Sequence, residues 1–150
     1  MTPGNNFVNF ENASRDLNDG DFAWFEQQIG SSLPAAVREQ YSVFNGGEPE
    51  NYIFVKDDVR YVVQVFFSIR YGKAGDTIEE KYRELVKNRK VIPPRMAPFA
   101  VDPAGDYYCF DLVTGHISIF RSEFFPDLES CITHLADSMT GFVDGLVEDD

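Results

Sequence analysis

From Phe22 onward the chain alternates between stretches whose apolar residues recur every three or four positions and stretches in which they run almost unbroken. Phe22, Phe25 and Ile29 fall on one face of a helix opened by Asp19 or Asp21 as N-cap, with Trp24 off that stripe at the core edge. Gly30 can end this helix in the left-handed conformation, and Pro34 suits the first turn of a second helix, where its missing N–H costs nothing. Val37, Tyr41 and Phe44 then make an apolar stripe while Arg38, Glu39 and Gln40 point elsewhere. Asn45-Gly46-Gly47 stops that helix.

The pattern next shortens to strands. Residues 52–55 form one, Lys56-Asp57-Asp58 a hairpin turn, and residues 59–68 a longer strand whose run YVVQVFF predicts a place near the sheet centre, covered on both faces for part of its length. Residues 71–76 form a loop carrying Gly72 and Gly75. Thr77 and Glu80 read as a capping box opening a third helix, with Ile78, Tyr82, Leu85 and Val86 inward. Glu79 and Glu80 at its start and Lys87, Arg89 and Lys90 at its end suit the helix dipole. Pro93-Pro94 ends it. A meander of residues 97–101, 107–111 and 116–120 follows, with turns at 102–106 and 113–115.

The tail admits two patterns. Ile132, Leu135, Met139, Phe142 and Leu146 fit one amphipathic helix from Asp127, yet Gly141 and Gly145 would each weaken it by ~1 kcal/mol. The other pattern is an extended segment at 131–135 and a short terminal helix. Residues 1–18 read as a loosely held arm whose Phe7 and Phe10 dock on the body, residues 19–150 as one domain, and residues 148–150 as a solvated end.

Composition narrows the class. A chain of 150 residues with 14 Phe and 7 Tyr has ample material for one core. The formal charge of −12 disfavours nucleic acid as a direct partner and favours a basic protein. Cys109 and Cys131 lack framework spacing and read as reduced thiols. The N-terminal residues lack a secretory pattern and no run is apolar enough to cross a membrane, so a cytoplasmic location is expected.

Two ordered sets of residues resemble the SUKH superfamily, which includes fungal Smi/Knr cell-wall-synthesis regulators and bacterial toxin-immunity proteins. The first is Trp24, Phe25, Glu26, Ile29, Gly30, Leu33, Pro34, Val37, Tyr41, Phe44, Asn45, Gly46 and Gly47. The second is Ile92, Pro93, Phe99, Ala100, Asp102, Gly105, Asp106, Cys109, Gly115, Ile117 and Phe120. The resemblance implies an α+β fold: an N-terminal helix pair against a twisted, mainly antiparallel sheet, a mid-chain helix and a C-terminal helix. It also favours the second pattern for the tail, with Met139, Phe142, Val143 and Leu146 inward.

No nucleophile-base set, phosphate loop, HExxH or dinucleotide fingerprint is present, so no catalytic residue, cofactor or metal is predicted. His116 and His134 do not have metal-finger spacing with the cysteines, and each reads as structural or superficial. The adjacent pairs Asp57-Asp58, Glu79-Glu80 and Asp149-Asp150 read as solvated charge or caps. The resemblance and the charge together imply an immunity protein that binds and neutralises a cognate toxin, a basic nuclease or deaminase domain. The alternative is a regulatory scaffold of the fungal type. A third class, an enzyme, would need a pocket holding His116 or His134 beside a carboxylate. Loops that combine acids with aromatics mark Glu48, Glu50, Tyr52, Asp57, Asp58, Tyr71 and Asp76 as the candidate partner-binding residues.

Overall fold

A computed structural model describes residues 8–149. Helices α1 (Asp19–Ile29) and α2 (Ala35–Val43) meet at Gly30, whose φ of 72° closes α1. The cap of α1 is Asn18 rather than Asp19 or Asp21. Asn18 Oδ1 accepts the Asp21 N–H and Asp21 Oδ2 accepts the Asn18 N–H, both at 2.9 Å, because the acid that completes a capping box stands three residues after the cap. Phe22, Phe25, Ile29, Val37 and Tyr41 are buried as their spacing predicts, and Trp24 lies half-buried beneath the Arg70 guanidinium.

The strands form three antiparallel sheets. The first pairs β1 (Phe10–Glu11) with β2 (Glu48–Pro49). The second contains β3 (Ile53–Lys56) and β4 (Val59–Val62), joined at Asp57 and Asp58, which both hold the positive φ that a two-residue hairpin turn of this hand requires. The third contains β5 (Val65–Phe66), β6 (Met96–Val101), β7 (Tyr107–Asp111), β8 (Ile117–Phe120) and β9 (Ile132–Ala136), in that order. The expected single strand over 59–68 is therefore two edge strands in different sheets. The chain crosses between them at Val63 and Gln64, whose N–H groups donate to Tyr52 and Val101, so the apolar run reflects burial between sheets rather than a central strand.

Helix α3 (Ile78–Tyr82) continues as a π-helical turn over Arg83–Asn88, with Ile78, Tyr82, Leu85 and Val86 buried. Thr77 Oγ1 accepts the Glu80 N–H, as the capping pattern predicts. After a short helix α4 (Leu128–Cys131), the tail takes the second pattern: β9 extended, then α5 (Met139–Asp144) capped by Ser138. Leu146 is buried, but in β10 (Leu146–Val147), which adds to β3, rather than on the helix. Asp149 is likewise not a free solvated residue: it accepts the Tyr52 hydroxyl at 3.0 Å and pairs with Arg60 at 2.6 Å.

The N-terminal arm is bound more firmly than its composition suggests. Val8 and Phe10 are buried, β1 pairs with β2, and Ser14 bridges to Asn45; Phe7 lies outside the described residues. Gly47 makes this approach possible, since a Cβ there would stand 2.7 Å from the Glu11 carbonyl oxygen at a φ of 108°. Helix α5 brings the larger sheets together through Phe142, whose ring lies 4.9 Å from Phe54, 5.9 Å from Phe99 and 5.7 Å from Tyr108, centroid to centroid.

Glu79 departs from its expected solvated role. It is buried at the start of α3, where Oε2 accepts the Arg70 N–H at 2.9 Å and Oε1 has no partner. Burial pushes its carboxyl above the ordinary value of 4.5, with the Glu80 charge adding to the effect and hydrogen bonds opposing it. The folded chain thus holds this proton more tightly than the unfolded chain, so the contribution of Glu79 to stability falls as pH rises through that raised value. The urea midpoint of Glu79→Gln should therefore gain on the wild type as pH is raised from about 4.5 into the neutral range. A midpoint difference independent of pH would remove Glu79 as the source.

Candidate functional site

The short β1–β2 ladder places three carboxylates along one open groove. Glu11 precedes the arm's turn, Glu48 lies opposite it in the ladder, and Glu50 follows β2. Tyr52, Pro49, Val62, Val63, Gln64 and Pro103 complete a cavity of about 650 Å³ that no Lys or Arg lines. Two arm amides hold the carboxylates: Asn9 Nδ2 donates to Glu50 Oε1 at 3.1 Å, and Asn12 Nδ2 to Glu48 Oε1 at 3.3 Å. Neutral donors position the acids without cancelling their charge, and the described residues offer none of these three an ion pair. Arginines instead pair with Asp19, Asp21, Asp111 and Asp149.

Glu48 and Gln64 also border a second cavity, of about 590 Å³, between the arm and the loop before α3. Asp76 lines it with Lys73, Lys81 and Tyr107. The structure thus brings Glu48, Glu50 and Tyr52 together and sets Asp76 in the adjoining cavity. Asp57 and Asp58 stand apart, exposed at the β3–β4 turn, and line neither cavity.

Tyr71 serves an internal role. Its hydroxyl donates to Asp21 Oδ1 at 2.6 Å, and Arg15 lies over its ring. That hydrogen bond, then the Asn18 N–H and the Arg70 charge, hold the Asp21 carboxyl below its usual range against the opposing effect of burial. Glu11 is the groove residue that reading the arm as loose overlooks. The alternation of Phe10 inward with Glu11 outward was its available signal.

Elsewhere, Cys109 and Cys131 are free and buried, and burial pushes both thiols up, away from the thiolate that a nucleophile needs. The two histidines, distant in sequence, meet beside the β8–β9 ladder with ring centroids 5.1 Å apart. They line a cavity of about 450 Å³ together with Arg95, Asp111 and Thr114. His134 Nε2 lies 3.0 Å from Asp137 Oδ1. The condition set for an enzyme reading, a histidine beside a carboxylate in a pocket, is met in outline, although the His134 and Asp137 side chains stay 42% and 88% exposed.

No helix among the described residues is long and apolar enough to cross a membrane. No curated protein matches the chain significantly. The family model described as SMI1 / KNR4 family (SUKH-1) does match, over residues 16–145. That span takes in the helix pair, the Asn-Gly-Gly stop, the meander and α5, the elements on which the resemblance and the fold both rest, and the chain therefore belongs to the SMI1/KNR4 (SUKH-1) family.

Proposed function

We propose that the protein is an immunity-type binding protein, acting in the cytoplasm, that neutralises a cognate toxin by covering its basic surface; a nuclease or deaminase domain is the class of toxin that fits. One observation carries this reading: Glu11, Glu48 and Glu50 line an open groove with no cation among its lining residues. Glu48 and Glu50 are held by amides and Glu11 stands in no ion pair among the described residues, so the three carboxylates keep their charge available to a partner, while Tyr52 and Val62 supply apolar contact beside them. The formal charge of −12 adds a field that can speed encounter with a basic partner by ~10–10³ at low salt. Buried, protonated thiols and an exposed histidine pair support occupation rather than catalysis, because a catalytic group works best where water is excluded.

The test begins with the adjoining reading frame. If it encodes a secreted protein with a toxic C-terminal domain, co-expression with this chain should restore growth and the two should co-purify. A Glu48→Lys/Glu50→Lys chain should then associate at least ~10-fold more slowly at low salt, with the gap narrowing as salt rises. Equal association rates for both chains across a salt series would remove the groove from the interface. Continued growth arrest beside soluble protein would favour the regulatory-scaffold reading instead.

A further inference from the structure

The chain's only two histidines, separated by β8, a loop and the short helix α4, converge with Asp137 at one side of the five-stranded sheet. One donor atom from each of His116, His134 and Asp137 lies within 4.8 Å of the other two. We propose that these three residues form a surface site for a divalent transition-metal cation, zinc being the best match.

The backbone assembles the set. Gly115, at φ 78°, turns the chain into β8, and His116 is fixed by donating its N–H to Thr114 Oγ1 and accepting the Asp111 N–H at its carbonyl. Ser118 pairs with His134 across the β8–β9 ladder, and the register shifts between Ile117 and Ser118. Such a shift turns the end of β9, so that Asp137 reaches back to the His134 ring. The imidazole planes stand at 74° to each other, which lets their nitrogens approach a common point from different directions.

Distances favour the same conclusion. Ligands at about 2.0–2.2 Å from a tetrahedral zinc are separated by about 3.4 Å. The His134–Asp137 donor pair is at 3.0 Å and the set spans at most 4.8 Å, so rotation of exposed side chains suffices to close it. Imidazole nitrogens with one carboxylate select borderline transition metals over calcium or magnesium, which prefer all-oxygen cages. The nearby cations do not compete for the site: Arg95 is engaged by Asp111 at 2.6 Å, and Lys56 donates to the His134 carbonyl at 2.9 Å. Three protein ligands leave a coordination position for water or for a donor from a bound partner.

Calorimetric titration of the untagged chain with zinc chloride tests this directly. One ion per chain should bind, with no comparable heat from calcium or magnesium. His116→Ala and His134→Ala should each weaken binding at least ~10-fold, the scale attached to the loss of even an outer-shell partner, and Asp137→Asn should weaken it too. The imidazole resonances of both histidines should respond together when the wild type is titrated, and matched thermal unfolding without metal would show that the variants remain folded. Unchanged zinc binding by His116→Ala/His134→Ala would overturn the site, as would the absence of stoichiometric binding by the wild type.

Discussion

Phe142→Ala should lower the stability of the fold by roughly 3–5 kcal/mol, the cost of emptying a fully buried aromatic site. The side chain is 0% exposed, and its ring touches Phe54 from the three-stranded sheet as well as Phe99 and Tyr108 from the five-stranded one. Those strands are fixed by their own ladders, so neither sheet can move far to refill the space. The loss is therefore expected near the upper end for such substitutions. Domains of this kind hold only about 5–15 kcal/mol in total, and at 2–4 °C for each kcal/mol the melting temperature should fall by roughly 6–20 °C. Urea unfolding followed by aromatic fluorescence measures it. A loss below about 1 kcal/mol would mean that α5 merely covers the sheets rather than joining them.

Phe142 also shows which parts of the architecture are legible in local pattern. The short helix that Ser138 caps is what the resemblance implies, whereas the position of Phe142 on an inward helical face follows from its spacing with Met139 under either pattern for the tail. The helix pair and meander are legible for the same reason: Gly30, Asn45-Gly46-Gly47, Asp102 and Asp111 each end or turn the chain through their own backbone or side-chain chemistry.

What local pattern does not encode is the sheet that a strand joins. Residues 59–66 are β-rich throughout, yet β4 pairs with β3 and β5 with β6, a division set by contacts with distant residues. Long-range pairing likewise creates the sites. Glu11 meets Glu48 only because β1 pairs with β2, and His116 meets His134 only through the β8–β9 register. Tyr71, Asp57 and Asp58 have the composition of an interface, but tertiary structure commits the first to Asp21 and leaves the other two on a separate turn.

The largest polar effect is expected at Asn45, which the motif presents as a helix stop and the fold uses as a junction. Its side chain is buried and makes three hydrogen bonds: Nδ2 donates to the Arg15 and Ile69 carbonyls, each at 2.9 Å, and Oδ1 accepts the Ile69 N–H at 2.7 Å. Asn45→Ala strands these buried groups, each unsatisfied one costing about 1–3 kcal/mol, and should destabilise the chain by roughly 3 kcal/mol after partial relaxation. The arm should loosen first, because Arg15 and the Ser14–Asn45 bridge anchor it, and Glu11 would leave the groove with it. Hydrogen exchange at residues 8–15 should accelerate accordingly.

Asn45→Asp separates hydrogen bonding from shape. It preserves size and the acceptor for Ile69 but turns a carboxylate oxygen toward two carbonyls, so at neutral pH it should be less stable than Asn45→Ala. Burial and those carbonyls would raise the new carboxyl's folded pKa, so the deficit should shrink as pH falls and protonation restores one donor. Equal stability of Asn45→Asp and wild type at neutral pH would refute the junction role. It would mean that the Asn-Gly-Gly stop acts through its glycines alone, with Gly47 sufficient to bring the arm against β2 and to hold the acidic groove in shape.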